Sequence, residues 1–68
     1  HDHRLLLTLG RLCRQRELWG KAQTYFEASI AIHPTAIAHA ELARLLDTLE
    51  REEESNHHYR ASLALALH

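Results

Sequence analysis

The chain has no methionine, a single cysteine, a single proline and no apolar run that could cross a bilayer. With no second cysteine, no internal disulfide can staple the fold, and the lone Cys13 fits a reducing compartment. With no methionine there is no initiator, so a piece of a longer protein is expected. No stretch approaches the roughly 18 apolar residues of a membrane-spanning helix, and no signal-peptide pattern occurs. The residue patterns of an active site are missing as well. There is no HExxH, no CxxCH, no phosphate loop, and no nucleophile–base or carboxylate pair with a reason to share a pocket. The sequence reads as a non-enzyme that carries no cofactor.

What is there is small and unevenly charged. The 68 residues make at most one domain, whose core supplies no more than about 3–5 kcal/mol without a staple or a neighbour. The net charge is −1, but residues 1–34 carry five Lys/Arg against three Asp/Glu and residues 35–68 carry three against six. That balance is not the basic footprint of a nucleic-acid binder. It is a mild dipole between two halves.

One heptapeptide is spelled twice. Phe26-Glu27-Ala28-Ser29-Ile30-Ala31-Ile32 returns as Tyr59-Arg60-Ala61-Ser62-Leu63-Ala64-Leu65, offset by 33 residues. A repeat of this period belongs to helical-repeat architectures. The apolar spacing agrees. Leu5, Leu6, Leu9, Leu12 and Cys13 share one face of a first helix over about residues 3–16, with Gly10 inside it where a neighbouring helix must come close. A second helix, about 19–32, turns Ala22, Tyr25, Phe26, Ser29 and Ile30 inward, with Trp19 a further candidate. His33-Pro34 closes it, and Pro34 suits the first turn of the next helix. A third helix, about 35–49, uses Ile37 or Ala38 with Leu42, Ala43, Leu45, Leu46 and Leu49. A fourth, about 53–67, opens on an acidic first turn and carries Tyr59, Ser62 and Leu63. No strand pattern occurs. The expectation is an all-α fold of four antiparallel helices, with residues 1–34 and 35–68 as two repeats and the rings at 26 and 59 in equivalent niches.

The first unit reads Leu6-x-x-Leu9-Gly10-x-x-Cys13, then Ala22-x-x-x-Phe26, then Pro34. This resembles the tetratricopeptide (TPR) signature, with Leu6 for the usual Trp and Cys13 for the usual Tyr. The second unit, Leu42-Ala43-x-x-Leu46 then Ser55-x-x-x-Tyr59, is more degenerate, and Glu17 and Glu50 stand where a turn glycine is usual. A left-handed backbone at either glutamate would cost about 1–2 kcal/mol. A narrower resemblance follows from Arg4-Leu5-Leu6-Leu7-Thr8-Leu9-Gly10-Arg11-Leu12, Glu17-Leu18-Trp19-Gly20-Lys21-Ala22 and Ala40-Glu41-Leu42-Ala43-Arg44-Leu45-Leu46-Asp47. These strings look like the C-terminal TPR tail of the HemY proteins of proteobacteria. That resemblance implies an N-terminal inner-membrane anchor, a domain on the cytoplasmic side, and a scaffold role in protohaem or tetrapyrrole synthesis rather than catalysis.

By the same resemblance the first and third helices line a concave face. Arg4, Leu7, Arg11, Arg14, Gln15, Ile37, Ala40, Arg44, Asp47 and Thr48 would form it. Its arginines suit an acidic segment or a C-terminal carboxylate, since guanidinium grips carboxylate in a two-pronged fork. The alternative is a solvated face that is merely basic. Seven histidines raise a haem or metal reading, but no two lie at the i, i+4 spacing that puts ligands on one helix face. They read as surface histidines. Only His1-Asp2-His3, through a free N-terminus, could chelate copper or nickel. The all-round apolar end Leu63-Ala64-Leu65-Ala66-Leu67 needs cover, so either the fragment self-associates or the parent chain covers Leu65 and Leu67.

Overall fold

A computed structural model of the chain describes residues 2–68; His1, and with it any terminal chelate, lies outside the described residues. The described residues form helices and turns and contain no strand. The helices are α1 (His3–Gln15), α2 (Trp19–Ile32), α3 (Ala36–Thr48) and α4 (Glu52–Ala66). Each agrees with its expected span to within one or two residues. α1 packs on α2 and α3 on α4, giving two helical hairpins; α2 joins them by packing on α3, and α1 also touches α3. The Cα envelope is 32 × 30 × 15 Å. Its short dimension is two helix layers, given helix axes about 10 Å apart.

Backbone chemistry repeats at the same offset as the sequence. α1 and α3 each begin on a side-chain cap. The Asp2 carboxylate accepts from the Arg4 N–H at 2.9 Å, and the Thr35 hydroxyl accepts from the Ala38 N–H at 3.1 Å. These caps occupy helix-end donors that have no partner inside the helix. Thr35 therefore caps α3, whose first residue is Ala36, and Pro34 lies one residue outside the cap and not in the first turn. Both hairpin turns close with the same pair of bonds. Leu18 N donates to Cys13 O at 2.9 Å and Glu17 N to Arg14 O at 3.0 Å; Arg51 N donates to Leu46 O at 2.9 Å and Glu50 N to Asp47 O at 3.0 Å. This is the Schellman pattern, and it needs a left-handed residue after the helix. Glu17 and Glu50 supply it, each at φ 60°. Across each hairpin a serine ties the helices together: Ser29 Oγ donates to His3 O and Ser62 Oγ to Ala36 O, both at 2.8 Å.

The core lies between the hairpins. Ala22 and Phe26 of α2 pack with Leu42, Leu45 and Leu46 of α3, and Leu7, Cys13, Trp19, Ile30 and Leu49 close its edges. Of the α3 alternatives, Ala38 is buried and Ile37 is 57% exposed. Two expectations for the outer helices fail. Leu5 and Leu12, assigned to the inner face of α1, are 57% and 48% exposed. The rings also differ: Phe26 is fully buried while Tyr59 is 40% exposed. Both outcomes have one physical cause. α2 and α3 each have a helix on either side, whereas the far faces of α1 and α4 have none. Tyr59 has a second cause, because the residue aligned with Gly10 is Ala43. A Cβ at Gly10 would come within 2.5 Å of the Phe26 ring, so a ring cannot take the same position over an alanine.

Candidate interaction face on α1 and α3

Three of the four arginines expected on one face converge, but around a residue outside the expected set. Glu41 sits in the middle of α3 with its side chain only 7% exposed. Its Oε2 accepts from Arg11 Nε, and its Oε1 accepts from Arg14 Nη1 at 2.9 Å. Arg44, three residues along α3, places Nη1 at 3.5 Å from Oε1. Burial alone would push the Glu41 carboxyl up. The hydrogen bonds from Arg14 and Arg11 and their positive charges outweigh it, and the group is held below the ordinary carboxylate range. Glu41 is thus ionised and acts as an electrostatic pin between α1 and α3. Arg14 is shared further, with its guanidinium carbon 5.9 Å from the centre of the Phe26 ring.

The remaining expected residues divide. Arg4 stands apart, 3.6 Å from Asp2, with its side chain 81% exposed. Leu7 packs against the core instead of lining an open groove. Gln15 and Thr48 are exposed, and the Thr48 hydroxyl donates back to the Arg44 carbonyl within its own helix. Ala40 is half-buried. Asp47, three residues after Arg44, is engaged by α4: its Oδ2 accepts from the Tyr59 hydroxyl at 3.1 Å. The face is therefore Arg11, Arg14 and Arg44 around one buried carboxylate, with Arg4 apart from them beside Asp2. Positive charge remains in excess, and Arg4 and Arg44 are the freest of the four arginines. Sequence reasoning passed over Glu41 although the signal was present. It falls four residues after Ile37 and three before Arg44, on the very stripe assigned to that face.

The histidines are the other correction. His39 is buried, at 9% exposure, and its Nδ1 lies 2.9 Å from Nδ1 of half-buried His58 across the α3–α4 interface. Their rings stack with centroids 5.1 Å apart, and His57 meets His58 edge-on. One ring must present Nδ1–H and the other a bare Nδ1. Burial, with the nearby histidines, holds both below the usual imidazole range. His3 and His33 form a second, tilted contact at 4.7 Å between centroids. Sequence spacing could not pair residues on different helices. Among the described residues no three His, Cys, Asp or Glu side chains are grouped to hold a metal ion. No helix among them is long and apolar enough to cross a membrane.

Compared with models of known families, with curated proteins and with solved structures, the chain matches none.

Proposed function

We propose that this chain is a protein-binding scaffold of the TPR kind, whose α1–α3 face receives an acidic segment or a C-terminal carboxylate of a partner protein. The observation that carries the reading is the arginine excess on that face: three guanidiniums share the single carboxylate of Glu41, and Arg4 adds a fourth that reaches water. Guanidinium donors left over from internal pairing are free to fork onto a second carboxylate. The strings quoted above support a narrower version. In it the chain is the tail of a HemY-like protein anchored in the bacterial inner membrane, working on the cytoplasmic side to hold enzymes of tetrapyrrole synthesis together. No catalytic step and no cofactor of its own enter this reading.

The test uses the two arginines whose loss leaves Glu41 paired. Arg4→Glu with Arg44→Glu reverses charge at side chains that are 81% and 68% exposed, while Arg11 and Arg14 keep the buried carboxylate satisfied. A fluorescent oligoglutamate peptide with a free carboxyl end should bind the native chain, weaken with added salt, and lose binding to the double variant at unchanged helicity. Equal affinity for both chains overturns the acidic-partner reading. A pull-down with the chain as bait, followed by a haemin titration, separates this scaffold from its rivals, a haem-handling protein and a purely structural pair of capping repeats. A Soret shift would favour the haem-handling protein.

A further inference from the structure

The two hairpins are stacked mainly through α2 on α3, with α1 also touching α3, and the chain carries the two halves of the α2–α3 interface again on its outer faces. In the internal interface, α2 contributes Phe26 and Ile30, and α3 contributes Leu42 and Leu45. Thirty-three residues after Phe26 and Ile30 stand Tyr59 and Leu63 of α4, 40% and 61% exposed. Thirty-three residues before Leu42 and Leu45 stand Leu9 and Leu12 of α1; Leu9 is half-buried and Leu12 is 48% exposed. Leu5, exposed on the same helix, aligns with buried Ala38. The serine ties, the Schellman turns and the caps repeat at this offset too. The outer faces are therefore an unfilled copy of an interface the protein already makes.

We infer that two copies of this chain associate head to tail, with the Leu5/Leu9/Leu12 face of one α1 seated on the Tyr59/Leu63 face of another α4, in the register by which α3 sits on α2. Charge supports the pairing of unlike ends. The half containing α1 carries an excess of two positive charges, and the half containing α4 an excess of three negative ones. One position makes this local. Trp19 and Leu49 close the edge of the internal core, and their equivalents at the outer faces are Glu52 and Arg16. An apolar edge between hairpins is thereby replaced by opposite charges where two copies meet. Such a contact is heterologous: each copy keeps one face open after pairing, so association continues into longer stacks. A single helix-on-helix contact is small compared with the roughly 1,600 Å² of a stable complex, so the stacks are weak and grow with concentration.

The experiment is sedimentation equilibrium of the whole chain over a concentration series. The native chain should rise in mean mass without levelling at a dimer. Leu12→Glu and Leu63→Glu, both at exposed positions, should each be monomeric alone and folded by circular dichroism. Mixed together, they should form a one-to-one dimer and nothing larger, because each retains the face the other has lost. Should either leucine variant fail to fold, the charge exchange decides. Arg16→Glu and Glu52→Arg should each weaken association, and the doubly exchanged chain should recover it. A native chain that stays monomeric throughout overturns the inference. So does a Leu12→Glu or Leu63→Glu chain that still dimerises alone, which would mean like faces pair with like, and so does a charge exchange without effect.

Discussion

The ring of Phe26 occupies the space that a side chain on Gly10 would need. A Cβ at position 10 would meet Cε1 of that ring at 2.5 Å and Cδ1 at 2.6 Å, and the ring, fully buried, has nowhere to retreat. This contact joins α1 to α2 in the first hairpin and has no counterpart in the second, where Ala43 and the outward Tyr59 replace the pair.

Gly10→Ala should therefore destabilise the chain even though alanine favours the helix by about 1 kcal/mol. Overpacking costs of about 1–3 kcal/mol are typical when a core cannot yield. Adding Phe26→Leu to Gly10→Ala should recover part of the loss, so the two substitutions are non-additive. Urea midpoints of the two single variants and the double variant check this. Additive losses would mean that the residues do not contest the same space.

Glycine at either turn glutamate should stabilise. Glu17 and Glu50 hold φ 60°, a conformation costing a residue with a Cβ about 1–2 kcal/mol. Glycine adopts it freely but gives back part of that gain as chain entropy in the unfolded state. Glu17→Gly and Glu50→Gly should each add about 0.5–1 kcal/mol, and the two should sum because the turns share no partners. Thermal melts read the result; a loss of stability at either turn would contradict the left-handed geometry there.

Stability should fall in two separate pH windows. His39 and His58 have folded pKa values below the ordinary 6.5, so the unfolded chain binds protons more readily than the folded one. Their contribution is intact above pH 6.5 and is lost as pH drops below it toward the folded values. Double protonation would also set two N–H groups against each other across 2.9 Å. Other charges around His58 are His57, Glu27 and Glu54, the glutamates opposing the shift without reversing it. Glu41 titrates lower: its contribution is intact above 4.5 and disappears as pH falls through its depressed folded value. Denaturant midpoints measured against pH should show both slopes. In His58→Gln the upper slope should shrink while the lower one stays; an unchanged upper slope would assign it to other groups.

The legible and illegible parts of this molecule divide by the range of the interactions. Helix spans came through because apolar spacing, caps and turn bonds act over three to six residues. The core of α2 and α3 came through because helices covered on both sides bury what their periodicity says they should. Leu5 and Leu12 carry the same signal and are nonetheless exposed, since periodicity marks a stripe that could be covered and says nothing about whether a neighbour covers it. The Glu41 cluster spans 30 residues to Arg11, and the histidine contact spans 19.

From its amino-acid order alone, then, this protein is an all-α chain of four helices with a 33-residue period and a basic stripe on its odd-numbered helices. Only the tertiary structure decided that a buried glutamate gathers three of those arginines, that two histidines share a hydrogen bond across α3 and α4, and which leucines meet water. The reason is that backbone hydrogen bonding and side-chain periodicity are local properties of the chain, whereas burial and charge pairing depend on which distant segment arrives beside a residue.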